Sequence, residues 1–438
     1  MKEKAITLKL TPLSPIHIGG HEQQLGGGAD FIFHNNRCYV IDEHKLIQVL
    51  EKGKLIERFI SVVEGTSRLN LAQFLNISSL SKNECNQLLS SISAYSCRSP
   101  STNRIRPFIR NAYAQPYIPG TALKGALRTA TLYCFVKSMS PAQKSEIVSR
   151  IDENLNRGKS REERRKELGD FLDEYFQKFE LYYEGKKINE TTPQETDLFR
   201  AIEISDSEPL DKNSLSIKEV RMVSLTSKNN WKFSRRRKKG GETQNPIRVY
   251  PECLLQRPIE LKVKFDTVLL SRLQKPKDVD MSLKDFVWKR AKTLCPSEFH
   301  DEQISEVALA KTLISLSREF AENILEEEKE FFDPLGASTE GNLEKVKVFY
   351  KDLSPNLRLG WGSGMLGASI FYLLRQEGAS DIIKKIARLF PQYQRRREPY
   401  GTLPDGDPIF KLFPKTRRVI IEGRNAVSPL GWAKLEIL

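Results

Sequence analysis

Residues 4–18 alternate apolar and polar side chains, Ala5-Ile-Thr-Leu-Lys-Leu-Thr-Pro-Leu-Ser-Pro-Ile-His-Ile, the period-two pattern of a half-buried strand. Gly19-Gly20 ends it, and a loop carrying Gly26-Gly27-Gly28 follows. A strand at Asp30-Phe-Ile-Phe-His, a turn at Asn35-Asn36 and a strand at Arg37-Cys-Tyr-Val-Ile predict a hairpin. Helical spacing covers about 43–53, 66–76, 81–93 and 121–138. Residues 141–180 read as a charged helical region, in which the mixed-sign run Arg161-Glu-Glu-Arg-Arg-Lys-Glu is a solvated face. Strands return at 198–205, 215–226 and 257–268, helix follows over 282–330, and Trp432-Ala-Lys-Leu-Glu-Ile is a last strand. Between the second and third of those strands, Trp231-Lys-Phe-Ser-Arg-Arg-Arg-Lys-Lys-Gly-Gly is too hydrophilic for a core and reads as an extended arm or hairpin.

Strands and helices are thus segregated rather than regularly alternating, which predicts an α+β chain. Its 438 residues suffice for two or three domains, and the boundary is placed between 1–268 and 269–438. Two glycine-rich loop-to-helix units, 117–136 and 359–375, hint at two related halves. Lys plus Arg number 70 against 56 Asp plus Glu, a net charge of +14, so a polyanionic partner is expected. No apolar run approaches the roughly 18–20 residues that span a bilayer, and the N-terminus enters a strand without an apolar signal core. Six scattered cysteines without a C-x-x-C pair read as free thiols in a reducing cytoplasm. His17 and His21 are separated by a Gly-Gly step, and no zinc site is read from them.

Four features carry chemistry. The first is Tyr117-Ile-Pro-Gly-Thr-Ala-Leu-Lys-Gly-Ala-Leu-Arg: Pro119-Gly120 turns the chain, Thr121 caps a helix, and the positive helix end points out of the turn. Lys124 and Arg128 share a face beside Gly125, which leaves room for a backbone to approach. The spacing is not that of a Walker A loop, and taken alone the unit fits a capped amphipathic helix with solvated basic residues slightly better; the rest of the chain tips the balance toward phosphate. The second is Ser14-Pro-Ile-His-Ile-Gly-Gly, where His17 is the histidine placed to titrate, although a lone strand histidine is more often structural. The third is Arg358 followed by Gly360-Trp361-Gly362-Ser363-Gly364, whose glycines free N–H groups for an anion and whose tryptophan is suited to stack on a base. The fourth is basic sequence at Arg235-Arg-Arg-Lys-Lys, Arg395-Arg-Arg and Lys415-Thr-Arg-Arg. For catalysis the chain is poor, with no nucleophile elbow, no spaced carboxylate pair and no metal-ligand cluster.

These motifs, together with Phe199-Arg-Ala-Ile-Glu-Ile-Ser-Asp-Ser and in this order, resemble the RAMP superfamily of CRISPR effector proteins. Length, the late Gly-Trp-Gly-Ser-Gly and the terminal Pro-Lys-Thr-Arg-Arg are most similar to the filament-end subunits of type III-A Csm effector complexes, beside the crRNA 3′ end. The resemblance implies two RRM-like (ferredoxin-like) RAMP modules, with helical insertions, that share a glycine-rich groove for guide RNA. By it, Gly19 and Gly20 shape the groove, and Gly120, Thr121, Lys124, Gly125 and Arg128 meet crRNA phosphates. Arg358, Gly360, Trp361, Gly362, Gly364, Lys415, Arg417 and Arg418 would belong to the second module. Lys232, Arg235, Arg236 and Arg237 would lie on a thumb-like arm across the guide–target duplex. The implied partners are crRNA, target RNA, other Csm subunits (above all the repeating backbone subunit) and the cellular nucleases that finish the crRNA 3′ end; no membrane and no cofactor are implied. Two catalytic alternatives accompany this reading. Asp30 stands near the place where backbone subunits carry an aspartate that cuts target RNA with a metal. His17 would be the general acid or base of a metal-independent endoribonuclease acting on precursor crRNA.

Overall fold

The structure, a computed structural model, describes residues 5–20, 24–65, 69–157, 160–211, 213–226, 229–237, 243–300, 303–376, 380–388 and 414–438. Its centre is an antiparallel sheet of five strands. Four of them are β1 (Ile6–Pro12), β2 (Ile202–Ile204), β3 (Ile259–Phe265) and β4 (Trp432–Ile437), and Leu357–Arg358 forms a short edge strand. The order across the sheet is edge strand, β4, β1, β3, β2. Helix α1 (Gly120–Ser138) lies between β1 and β2 in sequence, and α2 (Glu306–Phe332) lies between β3 and β4. That is the connectivity of a βαββαβ ferredoxin-like unit.

Alternation explains how the sheet forms. In β1 Ile6, Leu8 and Leu10 are buried, and in β3 Ile259, Leu261, Val263 and Phe265 are buried while Glu260, Lys262 and Lys264 face solvent. The apolar faces of α1 and α2 join this core, where Tyr133 of α1 packs on Phe320 of α2 with ring centres 4.6 Å apart. Ser305 caps α2 by accepting from the Ala308 N–H at 3.0 Å.

Long insertions hang on this unit. After β1 the chain forms the hairpin Phe31–His34 and Arg37–Ile41, turned by Asn35 and Asn36 at φ 47° and 58°. That hairpin joins Ser93–Arg98, Leu215–Ile217 and Glu252–Leu254 in a second sheet. Helices Glu43–Lys52, Ile56–Gly65, Leu71–Phe74 and Lys82–Ile92 cover it around a separate small core that includes Leu46, Leu50, Cys85 and Leu89. A third sheet aligns Trp231–Phe233, Glu219–Leu225, Thr416–Glu422 and Asn425–Ser428.

Several expectations change. The α1 cap position is Pro119, without a side-chain cap, and Thr121 lies exposed in the first turn. Trp231 and Phe233 are buried at 5% and 0% exposure, so the first three residues of the basic stretch belong to a sheet. The 359–375 unit does not repeat α1: Gly360 and Gly364, at φ 78° and 63°, break it into a 3-10 turn and two short helices. Finally, β1 pairs with β4, so residues 1–268 and 269–438 share one central sheet.

Candidate nucleic-acid interface

The strands β1, β2 and the edge strand run parallel to one another, each separated by an antiparallel neighbour. Their C-terminal ends therefore point the same way, and each leads toward one of the glycine motifs. Hydrogen bonds join these motifs into a strip. The Trp361 N–H donates to the His17 carbonyl at 2.8 Å, and the Ile109 N–H donates to the Ile18 carbonyl at 2.8 Å. Arg110 bridges Pro116, and the Ser207 N–H donates to the Ile118 carbonyl at 3.0 Å. Gly19 and Gly20 leave this strip exposed.

At the α1 end of the strip, packing explains the Pro-Gly-Thr signature. A Cβ on Gly120 would lie 2.0 Å from the Ile204 carbonyl oxygen, so only glycine lets the helix seat on β2. The Gly120 N–H donates to Asp206 Oδ1 at 2.8 Å, which puts a carboxylate where the sequence suggests a phosphate. Arg128 is held by Asp197 at 2.8 Å and by Asp173 at 3.0 Å, and its guanidinium lies 3.7 Å from the centre of the Phe176 ring. Its charge is compensated within the fold, contrary to the phosphate role read from the motif. Lys124 is different. It is half-buried, and its pKa is pushed down by desolvation and by Arg128, against the pull of Asp197 and Glu203. A cleft of about 500 Å³ opens between Lys124, Arg128 and Arg200, with Glu195 and Asp197 also on its walls. Gly125 faces open space, with nothing within 4 Å of the point where a Cβ would stand.

The middle of the strip is built on Glu252, which has no exposure. Its carboxylate accepts from the Phe108 N–H at 2.8 Å and from Arg110 at 2.9 Å, and Arg110 stacks 3.5 Å from the centre of Tyr95. The Glu252 carbonyl accepts from His17 Nδ1 at 2.8 Å, which fixes the tautomer with the proton on Nδ1. His17 is itself fully buried, and desolvation, with Arg106 nearby, lowers its pKa from 6.5 to about 4 despite the bond to Glu252. A neutral imidazole sealed from solvent is a packing group, not the general acid or base of the endoribonuclease alternative.

The third part is cationic. Glu328 of α2, 1% exposed, holds Arg358 at 2.9 Å and Arg417 at 2.8 Å. These two arginines are internal ion-pair partners rather than the free RNA contacts expected of them. Arg418 donates to the Trp361 carbonyl at 2.6 Å and lies 4.2 Å from the centre of its ring, and Arg106 lies 5.0 Å from the same ring. Trp361 is thus already stacked by guanidiniums and met edge-on by His17, a different use from base stacking. Among the described residues no carboxylate pairs with Arg106 or Arg418. Burial, with Arg106 and Arg358 nearby, lowers the Arg418 pKa to about 10. A cavity of about 450 Å³ lies against Arg358, Arg417, Arg418 and the 362–366 loop. Gly360 shows why the loop needs glycine, since a Cβ there would lie 2.4 Å from the His17 carbonyl oxygen.

The remaining predicted residues are dispersed. Lys232 is exposed on the third sheet, Arg235 pairs with Glu340, and Arg235–Arg237 pairs with Thr243–Pro246 as a short ribbon. Lys415 sits half-buried at the entry to the strand Thr416–Glu422, and the run at Arg395 lies outside the described residues. Asp30 accepts from the Gly26 N–H and closes the glycine turn. Among the described residues no cluster of three or more His, Cys, Asp or Glu side chains is placed to hold a metal ion. The sequence reading missed Arg106 and the Glu252–Arg110 pair, though Arg104-Ile-Arg-Pro-Phe-Ile-Arg, basic residues interleaved with apolar ones, carries a signal for them.

A ferredoxin-like unit with glycine loops at one end of its sheet and arginines around them defines the class: the RAMP superfamily profile matches residues 9–366, and the chain belongs to that superfamily. Among its relatives is CRISPR system Cms protein Csm5 of Streptococcus thermophilus, 27% identical over 313 residues, 69% of this chain and 74% of the relative. The protein of the same name from Methanocaldococcus jannaschii is 24% identical over 445 residues, covering 100% of this chain and 90% of the relative. In fold, the chain is similar to one in the cryo-EM structure of a Csm–crRNA–target RNA ternary complex of a type III-A CRISPR-Cas system, with a TM-score of 0.61, 22% identity and coverage of 99% and 100%. It is also similar to the crystal structure of T. onnurineus Csm5, with a TM-score of 0.58, 21% identity and coverage of 97% and 99%. Among the described residues no helix is long and apolar enough to cross a membrane.

Proposed function

We propose that the chain is a non-catalytic, RNA-binding subunit of a type III-A CRISPR (Csm) effector complex, which caps the crRNA-bearing filament on its 3′-end side in the cytoplasm. Its partners are crRNA, target RNA and the other subunits of that complex, the repeating backbone subunit in particular. Membership of the RAMP superfamily and the named relatives support the complex. The observation that carries RNA binding is the pair Arg106 and Arg418, held around Trp361 beside the exposed Gly19-Gly20 with no carboxylate among the described residues to neutralise either. Guanidiniums without a carboxylate partner beside an exposed groove match phosphate oxygens, and a backbone so bound is read without regard to base sequence. Lys124 and the open side of Gly125 extend the same path toward α1.

The test is a salt titration of crRNA binding by the full chain and by the Arg106→Ala/Arg418→Ala variant. Each lost phosphate contact makes the log–log slope shallower by about 0.7 for single-stranded RNA, so the double variant is expected to lose about 1.4. An unchanged slope in a folded variant would count against this groove as the guide site. Cutting of precursor crRNA is not expected from this chain, because His17 is neutral and enclosed.

A further inference from the structure

Between Phe108 and Ile118 the chain leaves the strip, turns and returns, and at the tip of that excursion stands Tyr113, 83% exposed. An exposed tyrosine on a loose loop would mean little. This loop is the opposite of loose. Asn111 accepts at its Oδ1 from the N–H groups of Tyr113 and Gln115, each at 3.0 Å, and its Nδ2 donates to Gln115 Oε1 at 3.1 Å. The Asn111 N–H donates to the Gln115 carbonyl at 2.9 Å, and the Ala114 N–H donates to the Asn111 carbonyl at 3.0 Å. Arg110 donates to the Ala114 carbonyl at 3.1 Å with one nitrogen while another is fixed in the buried Glu252 pair at 2.9 Å. Ala114 is held at φ 58°, a left-handed conformation strained for any residue with a Cβ. Strain and this many bonds at one turn imply that the turn is there to present something.

What it presents is one flat ring between two alanines, Ala112 and Ala114, both exposed. Small flanks leave the faces of the ring clear for a planar group wider than itself. They do not supply the surrounding apolar contacts that make a tyrosine an anchor in a protein–protein interface. The hairpin is rooted in the strip that carries Gly19-Gly20 on one side and the α1 entry on the other.

We propose that Tyr113 is a stacking platform for a nucleobase of the bound guide RNA, an inference that rests on the reading of this chain as a guide-binding subunit. The base lies on the tyrosine face while the neighbouring backbone follows the Arg106 and Gly19-Gly20 groove. Stacking is indifferent to base identity, so it adds affinity without adding sequence preference.

The test uses the full chain with crRNA carrying a single 2-aminopurine, moved one position at a time through the 3′-terminal nucleotides, and compares wild type with Tyr113→Phe and Tyr113→Ala. Wild type and Tyr113→Phe are expected to quench the probe at one position. Tyr113→Ala is expected to lose that quench and to bind roughly ten-fold more weakly, with the slope of affinity against salt unchanged because no phosphate contact is lost. Tight RNA binding by wild type with no quenched position, or a quench that survives Tyr113→Ala, would overturn the stacking role while leaving the subunit reading intact. Failure of wild type to bind crRNA at all would instead overturn the reading on which the inference rests. A Tyr113→Ala chain that binds RNA normally but no longer assembles with its neighbouring subunits would assign the ring to a protein contact.

Discussion

Glu252 and Glu328 have almost no contact with water, and each is matched by arginine: one by Arg110, the other by Arg358 and Arg417 together. His17 shares the first of these neighbourhoods, and its burial makes a prediction with a definite sign. Its pKa falls from 6.5 in the open chain to about 4 in the folded protein. Between those values the unfolded chain binds a proton that the native chain refuses, so stability is full above about pH 6.5 and declines as the pH drops toward 4. The slope approaches about 1.4 kcal/mol per pH unit, on the order of 3 kcal/mol in all. His17→Asn keeps a donor for the Glu252 carbonyl but cannot titrate, so urea midpoints measured between pH 6.5 and 4 should fall less steeply for it than for wild type. Equal slopes would show that His17 protonates as readily folded as unfolded. At this scale the sequence showed the charges but not their partners. Arg358 and Arg417 read as RNA contacts because the carboxylate that holds them lies 30 and 89 residues away on α2, a separation no local pattern encodes.

Among the elements, the entry to α1 shows how one motif can contain two glycines with opposite duties. Gly120 is pressed against β2, with the Ile204 carbonyl oxygen 2.0 Å from where a Cβ would stand, and that strand cannot retreat without breaking its pairing to β3. Gly120→Ala should therefore destabilise the chain by about 3 kcal/mol or more. Gly125 sits on an exposed turn of the same helix with open space beside it, where alanine raises helix propensity by up to about 1 kcal/mol. Thermal unfolding should thus move down for Gly120→Ala and up for Gly125→Ala, and the second variant should bind crRNA more weakly because its methyl occupies the proposed guide path. A Gly125→Ala chain that is more stable and binds equally well would remove α1 from that path. Period-two and helical spacing were enough to read β1, β3, the 31–41 hairpin, α1 and much of α2. They missed Ile56–Gly65 and Glu344–Asp352, and they misjudged Trp231 and Phe233, whose alternation was masked by the arginines that follow. In the 359–375 unit the glycines meant a broken chain: the positive φ of Gly360 serves close approach to His17, and that of Gly364 interrupts the run where one long helix was expected.

Across the whole molecule, the two ends of the chain are neighbours: β4, at the C-terminus, lies between β1, near the N-terminus, and the edge strand Leu357–Arg358. Pairing over such a distance leaves no trace in local periodicity, which is why a boundary at 268 looked reasonable where β3 ends and a helical stretch begins. The third sheet crosses the same boundary, since Glu219–Leu225 pairs with Thr416–Glu422 in a six-residue register. Cutting the chain there would open both sheets. Residues 1–268 would lack α2, which covers the sheet beside α1, and would present β1 with an unpaired edge. Residues 269–438 would keep β4 and the edge strand but lose the strand on which β4 is registered, leaving Trp432, 0% exposed in the intact chain, at an open edge. The expected outcome is that each piece expressed alone is insoluble or lacks a cooperative transition, whereas the two expressed together form a soluble one-to-one complex. Gel filtration and thermal unfolding of the three preparations decide it. A monomeric 1–268 fragment with its own sharp transition would restore the boundary at 268, and the shared sheet would then be a docking of two domains instead of one folding unit.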